Sequence, residues 1–442
     1  MRNPKEKRPS NPGWCDPVIV VGTTPDYVAR IVDHYDGAVL FLLDSRFMGD
    51  PFLREIDPFF LFFTPFENDE EIMENLDEYL FHNKISPKGI ACFDCEYLVL
   101  ASRLAARRGL AFPPLEAVLH TRNKLETRRI LMETRLGTVS ATPASGIEDT
   151  LDFFRHSGKD IVIKPITGSG AELIFHCRTE EEVRESVEIM EKQLPKRRLN
   201  PLYLTNNWHS SGFITPDTCK TWVVEEHVAG PEYSCDFILS HEHVTIIRET
   251  AKLKAPDQPF GSMLAYICPP SYPATFSREA FRDFLKRVAT ALGFSWGYFM
   301  ADFIVHDGYP FIIEISPRPG GDSIPDLMKK ANGLDTIGIY LDMTSGKPII
   351  FQQPSFTAFM GSLNLYATSE GILTKIDMDE VWNRSWVKGI HLKKKVGDRI
   401  TLPPQDYDNR LLGYFIVSLK PRQDPIELLK DLQNHMFIAI EN

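Results

Sequence analysis

The strongest constraint on this chain is an alternation near its start. Apolar runs that read as buried strands occupy residues 18–21, 38–43 and 89–92. Val18-Ile-Val-Val closes at Gly22 and runs into Thr24-Pro25-Asp26, a helix-start signal. Helices are predicted from there to Tyr35, over 70–83 and over 97–108. Consecutive parallel strands need a crossover rather than a tight turn, so this order predicts a Rossmann-like α/β unit over residues 17–115. Gly22 stands alone, without a G-x-G-x-x-G, so a dinucleotide site there has weak support. Cys92 and Cys95 form a C-x-x-C with no second such pair, and read as small residues at a strand end rather than a zinc or dithiol site.

The length, 442 residues, exceeds one ordinary core and implies two or three domains. A net charge of −11 argues against a general nucleic-acid binder, but leaves room for a local phosphate site. Seven cysteines in a chain this long make no disulfide framework. Residues 1–16 are basic and rich in Pro and Asn, and read as a flexible N-terminus without the apolar stretch of a signal peptide. No run of about 18 apolar residues occurs, so the expectation is no membrane span and a cytoplasmic protein.

Beyond residue 115, helices are predicted over 121–134, 147–156, 180–193, 277–292, 325–331 and 425–432. The strand 161–164 runs into Gly168-Ser169-Gly170, and the polar segment 196–220 reads as an insertion or mobile loop. Strands 222–228 and 232–239 bracket the turn Ala229-Gly230-Pro231, and a further strand covers 243–252. The tail from residue 354 is strand-rich.

A hairpin, 299–305 with 310–315, turns at Asp307-Gly308. Gly308 lies midway between Asp302 and Glu314, so a turn centred on it makes these two acids cross-strand partners. Like charges so placed are destabilising and call for a shared proton, a salt bridge or a cation. Hard carboxylate oxygens suit Mg²⁺. Neutralisation by Arg318 or a lysine is the structural alternative. It loses ground to the adjoining run Ser316-Pro317-Arg318-Pro319-Gly320-Gly321, which leads into a helix start. Such a run is able to cradle an anion against backbone N–H groups and a guanidinium.

Upstream, Lys164 ends a strand just before the Gly168–Gly170 loop, where a lysine can reach a phosphate. Lys124 follows Arg122-Asn123, and acids stand at both ends of the unit Glu225-Glu226-His227-Val228 … Gly230-Pro231-Glu232-Tyr233. Singly, each of these reads equally well as a turn, a solvated helix face or an exposed edge. In this order they resemble the ATP-grasp superfamily, and within it the carboxylate–amine ligases, over nearly the whole chain. The tail adds a likeness to the C-terminal domain of biotin-carboxylase-like and amino-acid-ligase members, through Lys393-Lys-Lys-Val-Gly397-Asp and Leu412-Gly-Tyr.

The resemblance implies an ATP-grasp fold, α/β and α+β multidomain, with a Rossmann-like N-terminal domain (17–115), an ATP-grasp domain (116–350, its lid about 140–225) and a strand-rich C-terminal α+β domain (351–442). It implies ATP with Mg²⁺, or Mn²⁺ in its place. Lys124, Lys164 and the loop Gly168, Ser169, Gly170 would hold the phosphates, Glu225, Glu226, His227 and Val228 the adenine, and Glu232 the ribose. Asp302, Glu314 and Ser316 fall on the metal-ligand positions. Arg318 and Lys164 would be catalytic, with Arg248, Lys252, Arg318, Gly320 and Gly321 facing substrate. The implied reaction phosphorylates a small, amino-acid-like carboxylate and passes the acyl group to an amine. The implied assembly is a homodimer.

Two positions depart from the family pattern: Ser316 replaces the usual Asn, and Asp302 the commoner Glu. The competing readings are a biotin-carboxylase-like enzyme that activates bicarbonate, against which no Met-Lys-Met carrier signal occurs in the chain, and an ATP-binding sensor impaired at Ser316.

Overall fold

The computed structural model describes residues 16–441 except 138, 204–215, 241–242, 350, 353–354, 357 and 421–422. Most of the expected N-terminal segment 1–16, and the centre of the predicted loop 196–220, therefore lie outside the described residues.

The strand–helix alternation gives β1 (Val18–Val21), α1 (Pro25–His34), β2 (Val39–Asp44), β3 (Leu61–Thr64), α2 (Asp69–His82), β4 (Gly89–Ala91) and α3 (Leu98–Arg108). All four strands are parallel, in the order β3-β2-β1-β4. The sequence reading lacks β3, whose Phe-rich residues are only half-buried at a sheet edge and show no alternation. Val18, Ile19, Val20 and Val21 are all buried, which a continuous apolar run between two helical layers requires.

The predicted helix 121–134 is two helices, α4 (Leu115–Arg122) and α5 (Lys124–Glu133). They break at Asn123, whose side chain accepts hydrogen bonds from the N–H groups of Leu125 (3.0 Å) and Glu126 (3.1 Å). That cap places Lys124 at the first position of a new helix.

A second layer comprises β5 (Ala141–Ala144), α6 (Ile147–Ser157), β6 (Ile161–Pro165), β7 (Phe175–Cys177), α7 (Glu180–Gln193) and β8 (Trp222–Glu226). These strands form an antiparallel sheet, β5-β8-β6-β7, packed on its two helices through Trp222, Ile163, Val183 and Leu151.

The chain then enters a larger sheet with β9 (Glu232–Ser240), β10 (His243–Lys254), β11 (Met263–Cys268), α8 (Arg278–Ala291), β12 (Trp296–His306), β13 (Tyr309–Ser316), α9 (Ile324–Asn332) and α10 (Thr336–Thr344). The tail supplies β14 (Phe359–Tyr366), β15 (Gly371–Asp377), α11 (Asp379–Trp382), β16 (Val387–Leu392), β17 (Arg399–Ile400), β18 (Leu411–Leu419), α12 (Pro425–Gln433) and β19 (Phe437–Glu441). Three of these tail strands extend the large sheet, whose order is β13-β12-β9-β10-β11-β14-β18-β16; the others form a small sheet, β17-β15-β19.

Residues 222–239, read as a strand–turn–strand unit, are not a hairpin. β8 lies in the sheet β5-β8-β6-β7 (the lid sheet, over residues expected to form the lid) and β9 in the large one, so residues 227–231 are the hinge segment that joins the two layers. Gly230 sits there at φ +150°, and a Cβ on it would meet the carbonyl oxygen of Val305 at 2.4 Å. Among the described residues no helix is long and apolar enough to cross a membrane.

The cap at Asn123 gives a first test. Replacing this buried residue (Asn123→Ala) should cost about 1–2 kcal/mol in urea unfolding, without altering the midpoint's dependence on pH.

Candidate active site

The lid sheet, the large sheet, the end of the parallel sheet and part of the tail surround one cleft of about 1430 Å³. That exceeds the volume of an ordinary single-ligand pocket, about 300–1,000 Å³, and can hold a nucleotide beside a further substrate.

The metal-type acids stand on β12 and β13. The turn at Asp307 (φ +50°) and Gly308 (φ +83°) has two left-handed residues, the arrangement that matches strand twist in a two-residue hairpin. Its centre therefore lies between those residues, not on Gly308, and His306 pairs with Tyr309. An unbroken ladder from there would set Asp302 opposite Ile313. A bulge between Asp302 and Phe303 shifts the register by one, and Asp302 faces Glu314. The expected pair is present, but the bulge creates it.

The bulge has a buried partner. Arg128, on α5, donates to the carbonyl oxygens of Ile312 (2.6 Å) and Ile313 (3.3 Å). The same guanidinium forks onto Glu225, at 2.7 and 3.3 Å. Glu225 in turn accepts from Lys164 Nζ at 2.5 Å. Burial disfavours the Glu225 carboxylate, yet Arg128 and Lys164 hold it down at about 2. Burial lowers Lys164 to about 8 against the pull of Glu225. The Glu225 side chain thus serves the two cations, which leaves only backbone groups of the hinge to face a base. Of these, the N–H groups of Glu226 and His227 already donate to Ser140 (3.1 Å) and Asp160 (2.8 Å).

Lys124 Nζ donates to the carbonyl of Gly168 at 3.1 Å, joining the helix start to the glycine loop. Burial lowers its pKa, opposed by the charge of Glu314. Gly168 sits at φ +103°, where a side chain is strained, and a Cβ there would press on the Tyr203 ring at 3.1 Å. Gly168, Ser169 and Gly170 thus lie beside both lysines, and Ser169 and Gly170 line the cleft.

Lys252 lies between two acids. Its Nζ pairs with Asp302 and, at 2.5 Å, with Glu232, while Lys254 reaches Glu232 at 3.1 Å. Burial disfavours the Lys252 ammonium, but Asp302 and Glu232 hold its pKa well above the ordinary value. Burial raises Asp302 despite Lys252, and Lys252 with Lys254 keeps Glu232 low against its own burial. Ser316 is buried, its Oγ 3.7 Å from the Cys95 sulfur. Asp302, Glu314 and the Ser316 hydroxyl are an all-oxygen donor set on one hairpin, which fits Mg²⁺.

Arg248, expected to face substrate, does not line the cleft. It is fully buried, with NH2 2.6 Å from Asp236. Asp236 also accepts from the Gly320 N–H, at 3.1 and 3.2 Å, so that amide is engaged rather than open to an anion. A Cβ on Gly320 would lie 2.1 Å from Arg248. This close packing requires Gly320 but not Gly321, where a Cβ would meet only Arg318 at 3.8 Å, and Arg248 supports through Asp236 the loop that carries Arg318. Arg318 lines the cleft, its Nε donating to Cys95 Sγ at 3.0 Å.

Sequence reasoning misses three contributors. Arg128 looks like any helix-surface arginine until its burial is known. Cys95, read as a strand-end residue, touches Arg318. Asp94 also lines the cleft, and burial with the nearby charge of Glu96 raises its carboxyl to about 7 against Arg318. The C-x-x-C forms no disulfide; both sulfurs are free.

Comparison with known proteins bears on the fold that carries this cleft. Residues 157–326 match the family profile described as "ATP-grasp domain". An uncharacterized protein, y4rH, of Sinorhizobium fredii is 25% identical over 341 residues, 75% of this chain but only 64% of that relative's length. Among solved structures, the L-amino acid ligase from Bacillus licheniformis superposes with a TM-score of 0.75 at 19% identity, over 97% of this chain and 99% of that one. Phosphoribosylglycinamide synthetase from Anaerococcus prevotii gives 0.64 at 15% identity, over 97% and 100%. The biotin carboxylase domain of Hydrogenobacter thermophilus 2-oxoglutarate carboxylase, solved with MgADP and bicarbonate, gives 0.63 at 14%, over 96% and 90%.

The ion cluster predicts the protein's acid sensitivity. Glu225 is depressed in the folded state, so its contribution is complete above its unfolded value of 4.5 and is lost as pH falls toward about 2. Glu225→Gln should flatten that acid limb in denaturant unfolding. It should also cost about 3–5 kcal/mol at neutral pH, since it strands two buried cations. The profile match over residues 157–326 and the likeness to these solved structures show that the chain has an ATP-grasp fold.

Proposed function

We propose that this protein is an ATP-dependent ligase that activates a small carboxylate as an acyl phosphate and joins it to an amine, releasing ADP and phosphate. The observation that carries this reading is the convergence, in one cleft, of a facing acid pair, two buried phosphate-type lysines and a buried arginine. Apart from the acids' lysine partner, the cleft offers far more cationic and metal-ligating capacity than packing needs.

ATP would lie between the lid sheet and the large sheet. Lys124 and Lys164 would hold its phosphates, helped by the loop Gly168–Gly170, and the backbone at Glu226–Val228 would meet the adenine. Glu232 is the acid placed for the ribose, and binding there would draw it away from Lys252. Asp302, Glu314 and Ser316 would hold Mg²⁺, which supplies charge neutralisation on the transferring phosphoryl group. Mn²⁺ has the same oxygen preference.

A carboxylate oxygen of the substrate then attacks the γ-phosphorus, and the bond to the β–γ bridging oxygen breaks to release ADP. The amine nitrogen attacks the resulting acyl carbon, the C–O bond to phosphate breaks, and the amine's proton passes to phosphate or solvent. Arg318 would steady the carboxylate and the charge that develops on its oxygen. None of this needs a protein nucleophile; the residues position groups and balance charge. Lys252, lying between Glu232 and Asp302, is a resident cation that ATP and its metal must displace or share. A homodimer belongs to the same reading, supported by the dimeric biotin carboxylase relative.

A nucleotide-binding sensor is the second reading, favoured by the hold of Lys252 on Asp302 and by Ser316 at the third ligand position. The discriminating measurement is Mg²⁺-dependent ADP release across a panel of carboxylates and amines. Stimulation by a carboxylate–amine pair is expected; ATP-induced thermal stabilisation without any stimulation would leave the sensor. Glu314→Gln should lower turnover by at least about 100-fold, the scale of losing one electrostatic stabiliser, while ATP still raises the melting temperature. Undiminished turnover would remove Glu314 from the metal site.

A further inference from the structure

The parallel sheet ends at the cleft, and its strand order is informative. In β3-β2-β1-β4 the chain builds outward from β1 on one side, then crosses to place β4 on the other. The order therefore reverses between β1 and β4. In open α/β sheets, ligands bind in the crevice beyond the carboxyl ends of the strands at such a reversal. Here the two flanking segments are Gly22–Thr24 and Cys92–Cys95, and Thr24, Tyr27, Phe93, Asp94 and Cys95 all line the cleft. The missing glycine fingerprint removes the dinucleotide reading but leaves the crevice.

Buried polar atoms of Thr23, Arg30 and Asp94 around this crevice lack a hydrogen-bond partner among the described residues, and only one of them belongs to an acid. Asp94 Oδ2 is buried and has no hydrogen-bond partner among the described residues. Native proteins rarely leave a buried carboxyl oxygen unmatched, and a site for a ligand is one of the standard reasons. The Thr23 hydroxyl is near enough to ease the Asp94 carboxyl downward, yet it too lacks a partner in hydrogen-bonding geometry. The nearest guanidinium does not fill the role: Arg318 directs Nε to Cys95 and NH1 to the carbonyl of Pro319. Arg30 directs NH1 to Asp322 O at 2.5 Å and NH2 to the Tyr414 hydroxyl at 2.7 Å, and its buried Nε makes no bond to Asp94. Arg318 nevertheless feels both Asp94 and Glu314, so its charge lies within range of the orphan acid and of the metal acids alike.

We infer that Asp94 receives the ammonium group of the carboxylate substrate, which makes that substrate an amino acid with its amine close to the carboxylate that is activated. The inference rests on the ligase reading and deepens it. A ligand whose carboxylate lies at Arg318 and the γ-phosphate, with its ammonium on the adjoining carbon, would be offered both the guanidinium and the Asp94 carboxyl, whose charges act on each other. The contact also has a chemical consequence. An ammonium held by a carboxylate keeps its proton and has no lone pair, so the activated amino acid cannot compete as the attacking amine. The acceptor amine, which must be deprotonated, would be drawn from elsewhere in the cleft. Asp94 is thus a specificity-determining residue that also orders the two substrates.

The test compares wild type, Asp94→Asn and Asp94→Ala with amino acids and their des-amino counterparts, such as alanine against propionate and leucine against 4-methylpentanoate. ADP release and calorimetric titration, the latter with a non-hydrolysable ATP analogue, are read side by side. Wild type should favour the amino acid by about 10- to 100-fold, the range for a hydrogen bond to a charged group. Both variants should lose this preference through a higher KM for the amino acid, with the KM for propionate unmoved and the analogue's affinity retained as a check on folding. A variant that keeps the wild-type preference, or one that raises only the KM of the acceptor amine, overturns the assignment. Equal use of alanine and propionate by wild type would overturn it and leave the ligase reading standing. Amino-acid binding that depends on Asp94, without any ADP release, would sustain the ammonium site and overturn the ligase. Absence of both amino-acid binding and ADP release would overturn the two together.

Discussion

The site depends on one guanidinium. Arg128 holds the carbonyls at the β13 bulge with one edge and Glu225 with the other, and Glu225 holds Lys164. The bulge sets Glu314 opposite Asp302. A single buried side chain therefore ties the hairpin that carries the acid pair to the lid sheet that carries the lysine. Buried ion pairs of this kind add little net stability compared with an apolar core, because desolvation offsets their attraction. What the cluster supplies is placement: two layers joined by a hinge are fixed relative to each other where the acid pair and the lysine must act together.

A second charge balance lies deeper in the cleft. Lys252 between Glu232 and Asp302 neutralises acids that would otherwise repel across β9, β10 and β12. Beneath them, Asp236 with Arg248, Tyr298 and the Gly320 amide forms a closed polar core under the loop that carries Arg318. Glu225, Glu232, Asp236 and Asp302 thus each have a buried cationic partner, whereas Asp94 keeps a carboxyl oxygen with no hydrogen-bond partner among the described residues. This contrast is what makes its unpartnered oxygen informative.

Much of this is legible in the sequence, for identifiable reasons. The parallel sheet follows from short apolar runs separated by helices, and the helix 180–193 follows from its capping box and 3.6-residue period. The facing of Asp302 and Glu314 is legible too, though through a symmetric turn about Gly308 that does not exist. Strand β3 and helix α10 escape the sequence reading: the first is half-exposed and the second is apolar nearly all round, so neither shows the periodicity that marks a one-faced element. The run Ser316–Gly321 suggests an anion cradle and Arg248 a substrate-facing cation, whereas Arg248 and the Gly320 amide both engage Asp236.

The sequence by itself determined which residue types are available and in what order: two lysines, a glycine loop, a hinge, an acid pair and an arginine. It did so because local patterns of period, capping and turn chemistry act over a few residues. Only the tertiary structure decided which charges face the cleft and which face one another. Arg128, Arg248 and Asp94 are indistinguishable in sequence from surface charges, since their burial comes from segments far away in the chain. The energy of a buried charge is set by those distant neighbours, not by its own place in the chain.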